Sequence, residues 1–182
     1  MTGFRDRHGL GRCCCSCEDC CNGSYPTEYD VEFTFTDGQC TECEQYSTTF
    51  TLTKLATCNW RYDSGWGLSD SCAPPYGEPI KRVYISLSIR CINDTQYGIN
   101  LDWSIWRTSA NCPGMFDSTT HYFAKIVNVA DWSCDGASNY AIPWGSSGSF
   151  GWTFNPVLGR CTLSTIAHLC DAPANAYLTA VP

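Results

Sequence analysis

Residues 13–21, CCCSCEDCC, place six cysteines within nine positions, directly after Arg12. Thiols packed this densely serve either as soft metal ligands or as disulfide partners. Cys17-Glu-Asp-Cys20 is followed, nineteen residues later, by Cys40-Thr-Glu-Cys43. Two such pairs at this separation match a zinc ribbon, in which four thiolates complete a tetrahedral site. Cys17, Cys20, Cys40 and Cys43 are thus candidate ligands of a structural zinc ion. The competing reading makes them disulfides, with Cys40 and Cys43 stapling an N-terminal knot to the first hairpin; Cys14 and Cys21 are equally near. Both chemistries are structural, and the two stay open at the level of sequence.

The remaining cysteines, Cys58, Cys72, Cys91, Cys112, Cys134, Cys161 and Cys170, are dispersed in a way that suits cross-links between neighbouring loops. A disulfide closing a loop of about 15 residues contributes on the order of 3 kcal/mol. The total of fifteen is odd, so at least one thiol is free, metal-bound or paired between chains.

Other chemistry is sparse. His8, His121 and His168 have neither metal-site nor triad spacing. Gly145-Ser-Ser-Gly-Ser149 lacks the Gly-X-Ser-X-Gly order of a nucleophile elbow and is expected to be a flexible loop. No catalytic residue is assigned and no enzyme activity is expected. The aromatics carry more information. Trp60, Tyr62 and Trp66 fall in one Gly/Ser-rich stretch, and Trp132, Tyr140 and Trp144 in another. Loop tryptophans offer flat apolar rings on which a pyranose face can stack. Trp60, Trp66, Trp132 and Trp144 are therefore candidate glycan-binding residues. The alternative is that they plug the ends of the fold or bury against a neighbouring subunit.

The elements that must position these residues alternate with period two. Val31, Phe33 and Phe35 share one face of a strand, and Val83, Ile85, Leu87 and Ile89 share another. Tyr97, Ile99, Leu101, Trp103 and Ile105 alternate with small and polar residues over nine positions. Weaker strands are expected near 121–129, 150–154 and 176–181, with 163–166 a further candidate. Such alternation belongs to antiparallel sheets with one solvated face. No capped, 3.6-periodic run of ten residues occurs. The expectation is an all-β antiparallel β-sandwich, jelly-roll or immunoglobulin-like, with an open barrel as the variant. Its parts are an arm at 1–12, a cysteine-rich knot at 13–27 and a sandwich domain at 28–182.

Charge narrows the partners. The chain carries a formal net charge of -7 and 16% charged residues, so no basic surface for nucleic acid is expected. The local exception is the arm, where Arg5, Arg7 and Arg12 oppose Asp6. No apolar run approaches the ~20 residues of a membrane-spanning helix, and no h-region of about 7–15 residues stands near Met1. Synthesis in a cytoplasm without a signal peptide is expected, which fits poorly with many disulfides unless the protein is later released into an oxidising medium.

Residues 20–26 (CCNGSYP), Cys40, Cys58-Asn-Trp60 and 83–91 (VYISLSIRC) together resemble uncharacterised cysteine-rich β proteins of tailed phages and some environmental bacteria, over roughly residues 13–91. The resemblance implies a virion structural protein, a capsid-surface or tail subunit made in the host cytoplasm and localised to the particle. Its partners would be other virion proteins or copies of itself, with Arg5, Arg7 and Arg12 as an assembly arm. The alternative is a secreted, extracellular lectin-like module that binds a surface glycan.

Overall fold

In the computed structural model, residues 26–35, 49–67, 80–93, 95–128, 131, 140–165 and 173–181 are described. The expected arm, all of the knot except Pro26 and Thr27, and the cysteines Cys17, Cys20, Cys40 and Cys43 lie outside them. So do Arg5, Arg7, Arg12 and Trp132.

Nine strands follow in order: β1 Glu28–Phe35, β2 Thr49–Ala56, β3 Asn59–Asp63, β4 Ile80–Asn93, β5 Gln96–Thr108, β6 Phe116–Asn128, β7 Tyr140–Asn155, β8 Arg160–Thr165 and β9 Pro173–Val181. The protein is all-β, and every strand pairing is antiparallel. The alternation read in the sequence becomes the division between core and surface. Val83, Ile85, Leu87 and Ile89 of β4 are buried, as are Tyr97, Ile99, Leu101, Trp103 and Ile105 of β5. Each fully buried large aliphatic contributes roughly 1.5–3 kcal/mol by leaving water.

The ladder runs β6-β5-β4-β3-β2-β1-β9-β7-β8, and β6 also pairs with β7. The sixteen-residue β7 makes this possible by serving three neighbours in turn. Tyr140–Pro143 pairs with β9, the stretch from Trp144 to Phe150 with β6, and Phe150–Asn155 with β8. Phe33 of β1 stacks on Trp103 of β5 at 4.7 Å and lies 5.6 Å from Phe123 of β6. Strands so far apart in the ladder can touch only if the sheet folds over on itself around a single core.

Two expectations are corrected here. From β1 to β8 each strand pairs with the next in sequence. This is a meander, whereas jelly-roll and immunoglobulin connectivity is of the Greek-key type. Second, 145–149 is strand rather than loop, because it pairs with Thr119–Tyr122 of β6. The glycine there fits a close approach: a Cβ on Gly145 would lie 3.3 Å from the Tyr122 carbonyl oxygen.

The cysteines brace the strand ends. Cys112, in the β5–β6 loop, is disulfide-bonded to Cys161 on β8, and Cys58 and Cys91 are also disulfide-bonded. Cys58 sits in the tight β2–β3 turn with φ of 62°, a conformation that costs a non-glycine residue of order 1–3 kcal/mol. Its sulfur bond and the Ile89 amide, which donates to its carbonyl at 3.1 Å, over-determine that geometry.

Candidate ligand-binding face

Directly paired residues on neighbouring strands share a face of the sheet. Starting from Trp106, the pairings run through Arg82 on one side and through Ser118, Phe150 and Thr165 on the other. Two-residue steps along the strands add Tyr84, Phe116, Trp152, Phe154 and Leu163 to the same face. It is the outer face, since Ile105 and Thr119, the chain neighbours of Trp106 and Ser118, point into the core. An aromatic and apolar band therefore crosses the outside of β4 through β8 near one end of these strands.

Trp66 completes the band from the turn after β3. Gly65 and Gly67 flank it at φ of 68° and 112°, which side chains rarely adopt. The turn is tied to β4 by Ser64 and Gly67, whose amides donate to the Val83 and Lys81 carbonyls. The Ser64 hydroxyl in turn accepts from the Val83 amide at 2.9 Å. Trp66 thereby lies 4.6 Å from the Phe116 ring and 6.2 Å from Trp106, yet stays 55% exposed.

Arg82 locks this end of the band. Its guanidinium carbon is 5.2 Å from the centroids of both Trp66 and Trp106 and 5.8 Å from Tyr84. Its Nε and Nη2 donate to Asp63 Oδ1 and Oδ2 at 2.9 and 2.6 Å. Such a two-bond fork fixes the orientation of the guanidinium as well as its distance. The hydrogen bonds from Arg82, reinforced by the Gly65 amide, hold the Asp63 carboxyl at about 2 against the opposing effect of burial. The cation is thus held in place beside two indole rings.

Polar groups continue the face along β5. Ser86 Oγ donates to Asp102 Oδ2 at 3.4 Å, and the Ser104 and Thr120 hydroxyls share a 2.8 Å hydrogen bond. Asp102 is half-buried, and burial pushes its carboxyl above the usual range. The face therefore offers exposed rings at one end and hydroxyl and carboxyl partners beside them. Ring stacking with flanking hydrogen bonds is the chemistry of saccharide recognition.

No family model, curated protein or solved structure matches this chain. Its own geometry carries the functional argument.

The sequence-derived candidates separate. Trp66 stands in the band. Trp60 is a core residue instead, 1% exposed, with Nε1 donating to the Pro26 carbonyl at 3.0 Å and its ring edge-on to Tyr29 at 4.8 Å. Pairing with Leu87 turns it inward, so it has no surface to offer a sugar. Trp144 lies on β7 opposite Phe123. Among the described residues no three His, Cys, Asp or Glu side chains group as metal ligands. His121 is buried against the Trp103 ring.

Trp106, Phe116, Tyr84 and Arg82 were not singled out by sequence. One signal was available: Trp106 falls in the outward phase of β5, with Ser104 and Asp102, where an aromatic is out of pattern. The convergence of Phe116 and Phe150 beside it depends on strand register.

Proposed function

We propose that the protein is a non-enzymatic, disulfide-braced β domain of sandwich-like build that binds carbohydrate through its outer aromatic band. The observation that carries this reading is Trp66, exposed yet fixed against Phe116 and Trp106 with Arg82 clamped by Asp63. Rings held in advance lose little freedom on binding, so contact area is converted to affinity efficiently. Screening purified full chain on a glycan array and on insoluble polysaccharides tests it. Trp66→Ala should weaken binding about tenfold or more, a loss near 1.4 kcal/mol, with no loss of folding. A blank array, or full retention of binding by Trp66→Ala, counts against the reading.

A second reading is favoured by a different observation. At the β7–β8 turn Val157 is 90% exposed and its neighbour Leu158 55%, and clustered exposed apolar side chains mark contact surfaces. We propose that the domain occupies the surface or tail of a phage particle, contacting other virion proteins or copies of itself. The Arg5, Arg7 and Arg12 arm docks into the assembly, and Cys17, Cys20, Cys40 and Cys43 brace the junction by zinc or disulfides. A glycan-binding face then serves attachment to a host surface. Removing residues 1–12 should abolish incorporation into particles while the domain still folds, as judged by particle composition and circular dichroism; normal incorporation would end this reading.

A further inference from the structure

The outer face of β5 does not end at Asp102. Two steps on, Asn100 and Gly98 open into a groove of about 340 Å³ lined also by Arg90, Ala124, Lys125 and Ile126. The register explains its shape. Gly98 lies between Arg90 and Ile126, and Asn100 between Ser88 and Ala124, so small residues form the floor and longer side chains rise beside it. Glycine at 98 leaves room for Arg90 to lie across the strand: a Cβ there would sit 3.4 Å from both Arg90 Nε and Ile92 Cδ1.

The two arginines of this face differ in one respect. Arg82 is neutralised by its salt bridge to Asp63. Arg90 is exposed and has no carboxylate partner among them, in a chain whose acidic residues outnumber its basic ones by 18 to 11. Lys125 does not duplicate it, because its ammonium donates to the Ala141 carbonyl and sits 4.2 Å from the Tyr140 ring centroid. The groove thus presents one guanidinium fork and one side-chain amide over an apolar floor. A guanidinium fork pairs with a planar carboxylate through two parallel hydrogen bonds, and the Lys125 ammonium in the groove's lining adds positive charge that favours an anion there.

We propose that the Arg90–Gly98–Asn100 groove is the acidic-sugar subsite of an extended saccharide site that begins at Trp66 and Trp106. This rests on the carbohydrate reading above and names the class of ligand: an oligosaccharide bearing uronic-acid units. Trp106 and Gly98 are eight residues apart on one strand face, about 27 Å at the rise of an antiparallel strand, so only a chain of several sugars reaches both ends. Asp102 lies between them and offers a hydrogen-bonding carboxyl, not a cation, so the ligand combines uronic-acid units with neutral ones.

The experiment uses the full chain and matched probes: hyaluronan, unsulfated chondroitin and glucuronoxylan oligosaccharides, each as the free acid and as its methyl ester. At least one free acid should bind about tenfold more tightly than its ester. Arg90→Gln should weaken the free acid far more than the ester and so level the pair, with thermal stability unchanged, and Trp66→Ala should weaken both members. Equal binding of acid and ester overturns the subsite but leaves the carbohydrate reading standing. So does an acid preference that survives Arg90→Gln, or a preference for sulfated over carboxylated chains. Failure of every acidic and neutral saccharide to bind overturns both.

Discussion

Trp60→Ala should lower the free energy of unfolding by about 3–5 kcal/mol, the range for truncating a large aromatic in a packed core. Trp60 is among the largest fully buried side chains, set edge-on to Tyr29 and paired with Leu87. The substitution removes the apolar area of the indole, leaves a void that β2 and β4 cannot close, and strips the Pro26 carbonyl of its 3.0 Å donor. An acceptor left without its bond adds its own desolvation cost. With a domain stability typically near 5–15 kcal/mol, the variant should unfold at markedly lower urea concentration, and equilibrium denaturation measures this directly. Trp66→Ala, six residues on in the turn after β3, should cost no more than about 1.5 kcal/mol, the scale of one aromatic pair, because its ring is 55% exposed. If the two variants unfold alike, the division of this stretch into a core tryptophan and a binding tryptophan is wrong.

Removing the Cys112–Cys161 disulfide should cost about 4 kcal/mol. The two cysteines are 49 residues apart, and the chain-entropy cost of the cross-link grows with the logarithm of the loop closed. The effect should also be local. β8 has β7 as its one strand neighbour among the described strands, and the disulfide ties it to the β5–β6 loop. Two hydrogen bonds reinforce that junction: the Trp152 amide donates to Asp117 Oδ1 at 2.8 Å, and Ser109 Oγ donates to the Trp152 carbonyl at 3.3 Å. In the Cys112→Ala/Cys161→Ala double variant, amide exchange should therefore accelerate first in β8 and the second half of β7, ahead of β4 and β5. Uniform acceleration over the whole sheet, or an unchanged denaturation midpoint, would contradict this placement. Because Phe150 and Phe154 belong to the same hairpin, a loosened β8 should also disturb the far end of the aromatic band.

How far the sequence reaches is clearest from single residues. In β4 and β5 the alternation of Val83 to Ile89 and Tyr97 to Ile105 fixed strand, face and core membership together, because burial of one face imposes period two on the chain. The same rule, applied to Asn59-Trp-Arg-Tyr-Asp63, reveals a strand with Trp60 and Tyr62 inward. Nearby glycines and serines made that stretch resemble a loop. The first half of β7 was hidden for a similar reason, since Gly145 and Gly148 lack the side chains that report burial, whereas its second half matches the strand expected near 150–154.

By itself, then, the sequence determined that the protein is an antiparallel β domain and which residues of β4 and β5 fill its core. These properties are local or compositional: a side chain's phase along its own strand is set by its immediate neighbours. The tertiary structure alone decided the meander, the pairing of Cys112 with Cys161, and the gathering of Trp66, Arg82, Trp106 and Phe116 into one face. Those depend on register between strands and on where the sheet folds over. Register is a property of pairs of segments far apart in the chain, which no single stretch of sequence encodes.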